Sequence, residues 1–109
     1  MPIAYKVLGQ SAPSATTNTT LYTCPASTQV VSSSIVICNR GASAATFRIA
    51  VRPNAAALAD QHYVFYDSPV LGNETVSVSI GLTIDAADLV VVYASTADLS
   101  FNLFGSEIT

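Results

Sequence analysis

The chain has 109 residues, half of them hydrophobic and only 10% charged, with a formal net charge of −3. Ordinary domains carry about 25% charged residues, so this composition excludes a disordered chain, and its acidic total argues against the basic stripe of a nucleic-acid binder. One domain is expected at this length, and the shortage of charge points to an oligomer or a large assembly, in which less surface faces water.

Residues 3–9 read as a first strand. The small polar run from Ser11 to Asn18 reads as a linker. Positions 1–18 are therefore expected to form an extended N-terminal strand and linker that reaches a neighbouring subunit, and 19–109 the folded domain. Residues 19–24 read as a second strand ended by Pro25, which lacks a ladder donor. Residues 28–38 carry the β-branched Val30, Val31, Ile35, Val36 and Ile37, which favour strands. Asn39, Arg40 and Gly41 make a turn. In 45–52, Phe47, Ile49 and Val51 alternate with Thr46, Arg48, Ala50 and Arg52, the period of a strand with one buried face.

The alanine-rich 55–59 stretch is a loop or a single helical turn. Residues 61–66 return to strand, and Asp67, Ser68 and Pro69 turn the chain. Residues 74–80 alternate again, Asp85 to Asp88 form a turn, and 89–95 and 98–104 close the fold. Short strands at such spacing predict an all-β, mainly antiparallel β-sandwich, jelly-roll or Ig-like, of about eight strands. The runs 35–38 and 89–93 are apolar on both faces, so each must lie under a loop or in a subunit interface.

All four bases (Lys6, Arg40, Arg48, Arg52) precede Asp60, and all seven acids lie from Asp60 onward. Either neighbouring copies meet with opposite signs, or strands of the two halves interleave and the charges cancel in space. Arg48 and Arg52 stand four apart on one strand and project from the same face; both suit a carboxylate-rich partner. The interface residues expected on these grounds are Arg48, Arg52, Lys6, Val90 and Val92.

No catalytic set is legible. His62 is a lone histidine, the spacing of Asp85, Asp88 and Asp98 is not that of a calcium loop, and nothing but residue type pairs Asp67 with Glu74. An enzyme is not expected, nor is a cofactor or metal. Cys24 and Cys38 read as small buried hydrophobes in a reducing compartment, with a disulfide as the alternative. Tyr63 and Tyr66 fall on opposite faces of a regular strand and make no sugar platform. The start of the chain lacks the pattern of a secretory leader, and no apolar run is long enough for a membrane helix.

The segments Tyr5-Lys6-Val7-Leu8-Gly9-Gln10-Ser11-Ala12-Pro13, Leu21-Tyr22-Thr23-Cys24-Pro25-Ala26, Ser33-Ser34-Ile35-Val36-Ile37-Cys38-Asn39-Arg40-Gly41 and Phe47-Arg48-Ile49-Ala50-Val51-Arg52-Pro53 carry a resemblance. So do Val92-Tyr93-Ala94-Ser95 and Ser100-Phe101-Asn102-Leu103-Phe104-Gly105. Together they resemble small virion structural proteins of tailed phages, including those of cyanophages. The resemblance implies a β-sandwich particle protein. The expectation built on it is a capsid decoration (cement) protein on the outer shell, bound to the major capsid protein and made in the host cytoplasm. It would form a homo-oligomer, trimer or dimer, with no nucleic-acid or membrane partner. The alternatives are a tail, neck or fibre module and a carbohydrate-binding module.

Overall fold

The computed structural model describes residues 2–109, and 58% of the chain lies in strands. In chain order these are β1 (Ile3–Ser11), β2 (Thr19–Thr23), β3 (Gln29–Asn39), β4 (Ala45–Arg52), β5 (Tyr63–Val70), β6 (Thr75–Val78), β7 (Thr83–Ile84), β8 (Leu89–Ala94) and β9 (Leu99–Ile108). One sheet has the order β1-β9-β3-β6, with β7 also paired to β3; the other runs β2-β8-β4-β5. Every pairing is antiparallel. Two packed sheets with this strand order form a jelly roll, one of the two sandwich types the strand pattern allows.

Period-two alternation builds the core. Ile35 and Ile37 of β3, Phe47 and Ile49 of β4, Val90 and Val92 of β8, and Phe101 and Leu103 of β9 are all fully or almost fully buried between the sheets. The Phe47 and Phe101 rings meet edge to face across the gap, 6.3 Å between centroids, a geometry favoured by the ring quadrupoles.

Several elements depart from the sequence reading. β9 runs to Ile108, beyond the expected end at residue 104, because it is paired on both sides, to β1 and to β3. β5 continues through the expected turn at Asp67. There Asp67 adopts a φ of 51° and the pairing with β4 shifts register, so the chain bulges and stays in the sheet. Residues 83–84 add the short β7, so the described residues hold nine strands. β1, expected to reach a neighbouring subunit, pairs along its length with β9 of its own chain.

The doubly apolar run of β8 is explained by a covering loop. Its outward Val91 and the neighbouring Ala50 are buried. Two short 3-10 turns, Pro53–Ala55 and Asp60–His62, lie against β8 and β4. His62 is buried and its Nδ1 accepts the Ala59 N–H at 3.0 Å, so the lone histidine secures this loop. Cys24 and Cys38 are both free thiols, and burial pushes the Cys24 thiol upward in pKa.

β1 crosses over β2 at Gly9, where a Cβ would overlap the Leu21 carbonyl oxygen. Only glycine permits that approach. Gly9→Ala is expected to destabilise the fold by about 1–3 kcal/mol, the usual range for overpacking, which equilibrium urea unfolding would read as a lower midpoint. An unchanged midpoint would show that β1 does not pack this closely on β2.

Candidate interaction surfaces

The two outward sheet faces differ in chemistry. On the β1-β9-β3 face, strand register aligns Ile3, Tyr5 and Val7 with Ile108, Ser106 and Phe104, and these with Gln29, Val31 and Ser34. Farther along the same face lie Val36 and Cys38 beside Asn102 and Ser100, with Ser77 and Thr75 of β6 next to them. Among the described residues the outward positions of β1, β9, β3 and β6 carry no Asp, Glu, Lys, Arg or His, and Asp85 and Asp88, just after β7, border the face beside Gln29, Val31 and Ile108. Its apolar members are open to solvent: Tyr5 is 85% exposed, Ile3 53%, Val7 46% and Val31 45%. Tyr5, Val7, Val31, Phe104 and Ser106 line a shallow groove there, and Lys6 lines it at the β1 edge. Protein surfaces rarely leave apolar side chains contiguous without a partner, and depletion of charge marks the centres of interfaces.

The β4-β5 face is polar and aromatic. Arg48 donates to Asp67 through Nε at 2.7 Å and through Nη2 at 3.4 Å. Its guanidinium carbon also lies 4.2 Å from the Tyr66 ring centroid and 4.3 Å from that of Tyr93. Asp67 pushes the Arg48 pKa up, which leaves its charge permanent. Tyr63 and Tyr66, expected on opposite faces, stand together with centroids 4.9 Å apart and rings nearly perpendicular. The cause is the irregularity of β5. Its pairing with β4 slips between Ile49 and Ala50 and again between Phe47 and Ile49. Each slip inserts a residue and reverses the alternation beyond it. Asp60 lies beside the two rings, in a shallow depression that the three residues line.

The five residues expected at an interface are thus divided. Val90 and Val92 are fully buried, and their expected interface role is corrected: they point into the core, where alternation along β8 places them. Arg48 is engaged by Asp67 and two tyrosines. Arg52 donates to the Ala56 carbonyl at 2.6 Å and anchors the start of the covering loop. Lys6 sits on β1 and pairs with Glu107 at 3.1 Å. The Lys6–Glu107 and Arg48–Asp67 pairs join the basic first half to the acidic second half within one chain, as interleaved strands require. Sequence reasoning missed the uncharged face because its residues come from distant strands. The one available signal was the polar-or-apolar but never charged outward positions of β9.

Beneath the β1 edge, Glu107 accepts the Tyr22 hydroxyl at 2.6 Å as well as the Lys6 ammonium. Burial, together with this carboxylate, drives the Tyr22 pKa far up. The Tyr22 hydroxyl, then Lys6, holds the Glu107 carboxyl below its ordinary range.

The molecule belongs structurally to the jelly-roll sandwiches, with one uncharged sheet face and one aromatic, ion-paired face. Compared with known proteins, the chain matches no family model, no curated protein and no solved structure.

Because the folded-state pKa of Glu107 is depressed, its stabilisation is fully present above the unfolded carboxylate pKa and is lost as pH falls through the folded value. Tyr22→Phe is expected to lower stability at neutral pH by about 1.5–3 kcal/mol, as for other hydrogen bonds to charged groups. The gap in Tm between the two proteins should narrow as pH falls below the carboxylate range. Thermal melts across that range check this, and a gap independent of pH would remove Glu107 as the acceptor that matters.

Proposed function

We propose that this protein is a non-enzymatic structural component of a tailed-phage particle, a capsid decoration protein that binds the assembled outer shell. The observation that carries the reading is the continuous uncharged face of β1, β9 and β3, with Tyr5, Val7 and Val31 open to solvent. Such a face gains free energy when a partner covers it, at about 25 cal/mol per Å² of apolar area removed from water. A ligand that binds only the native shell stabilises it by mass action, so many copies across capsid joints would reinforce the particle. The jelly roll is used by viral capsid proteins and by lectins; that analogy lends support at the level of fold alone. The major capsid protein is the partner in this reading, the capsid surface its location, and binding its mode of action.

Val31→Glu places a charge in the middle of the face without touching the core. It is expected to abolish binding to purified capsids in a co-sedimentation assay, whereas Arg48→Ala should leave binding intact. Quantitative mass spectrometry of particles should find hundreds of copies in a simple ratio to the capsid protein. About a dozen copies would instead assign the chain to the tail, neck or fibre. These copy numbers are order-of-magnitude expectations of shell symmetry and closed oligomers.

A second reading, carbohydrate binding, is favoured by one specific observation: Tyr63 and Tyr66 share a face with Asp60 beside them. Aromatic rings with adjacent hydrogen-bond acceptors form a common basis for ligand recognition. It predicts chemical-shift changes at these residues in NMR titrations with host-surface oligosaccharides, lost in Tyr66→Ala. A glycan array without any signal would dismiss it.

A further inference from the structure

The free edge of β1 has a hydrogen-bonding pattern that defines its partner. The Thr109 N–H donates to the Pro2 carbonyl at 3.0 Å, which makes Pro2 and Thr109 a hydrogen-bonded pair. The register that follows, Ile3 with Ile108 down to Val7 with Phe104, alternates between bonded and non-bonded pairs. Ala4 and Lys6 therefore spend their backbone groups on β9. The N–H and C=O groups of Ile3, Tyr5 and Val7 point the other way, into solvent. Every residue from 2 to 7 is exposed, so nothing in the described chain covers this edge.

The sheet edges are unequally protected. β5 is interrupted by two register shifts and by Pro69, and β2 and β6 are short. These are the usual devices against edge pairing. β1 offers a regular stretch from Ile3 to Val7 before its own register shift after Val7. Its one charge, Lys6, turns to Glu107 on the inner side and leaves the outer face uncharged.

We infer that this edge pairs with the same edge of a second copy, giving a two-fold symmetric dimer centred on Tyr5. In that register Tyr5 meets Tyr5 of the second copy, Ile3 meets Val7, and Ala4 meets Lys6. The three outward-pointing residues of one chain then face the three of the other, each pair exchanging its N–H and C=O bonds, and no like charges are opposed. A segment whose bonding groups and side chains satisfy themselves under a two-fold axis fits a second copy of this chain. The axis runs perpendicular to the sheet, so the two uncharged faces join side by side into one continuous surface. The inference stands on backbone geometry and does not depend on the particle reading.

The test is sedimentation equilibrium of the full chain, together with amide hydrogen exchange. The wild type should show twice the monomer mass, with the amides of Ile3, Tyr5 and Val7 exchanging as slowly as those of Ala4 and Lys6. Tyr5→Pro removes an outward donor and no bond to β9, so the mass should halve while the circular dichroism of the sandwich is kept. Tyr5→Ala, which retains the donor, should remain able to dimerise. A wild type that is monomeric at millimolar concentration would overturn the inference. So would a trimer, or a dimer in which the three amides exchange rapidly; neither of these depends on a variant that folds. Loss of capsid binding by Val31→Glu with dimerisation intact would separate the face from the edge.

Discussion

Strand β9 is hydrogen-bonded along both of its edges, and its period of two divides the molecule. Leu99, Phe101 and Leu103 enter the core, while Ser100, Asn102, Phe104, Ser106 and Ile108 lie on the outer surface. Because β1 and β3 take their register from β9, the same division passes to them: Val30, Ile35 and Ile37 turn inward, and Val31, Tyr5 and Val7 turn outward. A slip of one residue would exchange the two sets, exposing the core and burying serines. The uncharged face and the packed interior are therefore two consequences of one register.

The bulges modify that rule locally, and each has an outcome. The shift after Val7 brings Gly9 onto the Leu21 carbonyl and lets Leu8 pack against the core. The shift between Ser32 and Ser34 turns Ser32 inward, where its hydroxyl donates to the Ile80 carbonyl at 2.8 Å and accepts the Leu82 N–H. The irregularities of β5 gather Tyr63, Tyr66 and Asp67 around Arg48. An arginine on a sheet surface is ordinarily solvated, and exposed ion pairs contribute little. Here the planar guanidinium is held by a carboxylate fork and by two rings together, which fixes the tyrosines in place.

Charge is distributed by the same architecture. Most successive strands go to opposite sheets, so the two ends of the chain become neighbours, while β4 and β5 pair directly within one sheet. Lys6 reaches Glu107 and Arg48 reaches Asp67, so two of the four bases are paired with acids from the other half of the chain. What remains is a molecule with its ion pairs at a strand edge and on the β4-β5 face, and with the broad β1-β9-β3 surface left free of charge. The β1 edge of that surface is also the one where the backbone groups of Ile3, Tyr5 and Val7 point into solvent.

Residue alternation and β-branching made the strands legible from sequence, as in 45–52 and 98–104, where the inward set Phe47, Ile49, Phe101 and Leu103 could be named without coordinates. The antiparallel sandwich followed from strand length and turn spacing, since each rests on contacts between near neighbours. The runs around Val36 and Val91 also announced from sequence that something must cover or border them. Tertiary structure alone decided which. A loop tied by His62 covers Val91, whereas Val36 remains on an open face. It alone turned Val90 and Val92 into core, bent β5 so that two tyrosines meet, and set Tyr5 beside Phe104 and Val31. The physical reason is that alternation names the inner face of a strand only where one face is polar, not where both are apolar as in 89–93, and never says which distant strand lies alongside. Those are settled by register between segments as much as a hundred residues apart, such as Ile3 and Ile108, and by bulges that hydrophobic patterning does not encode.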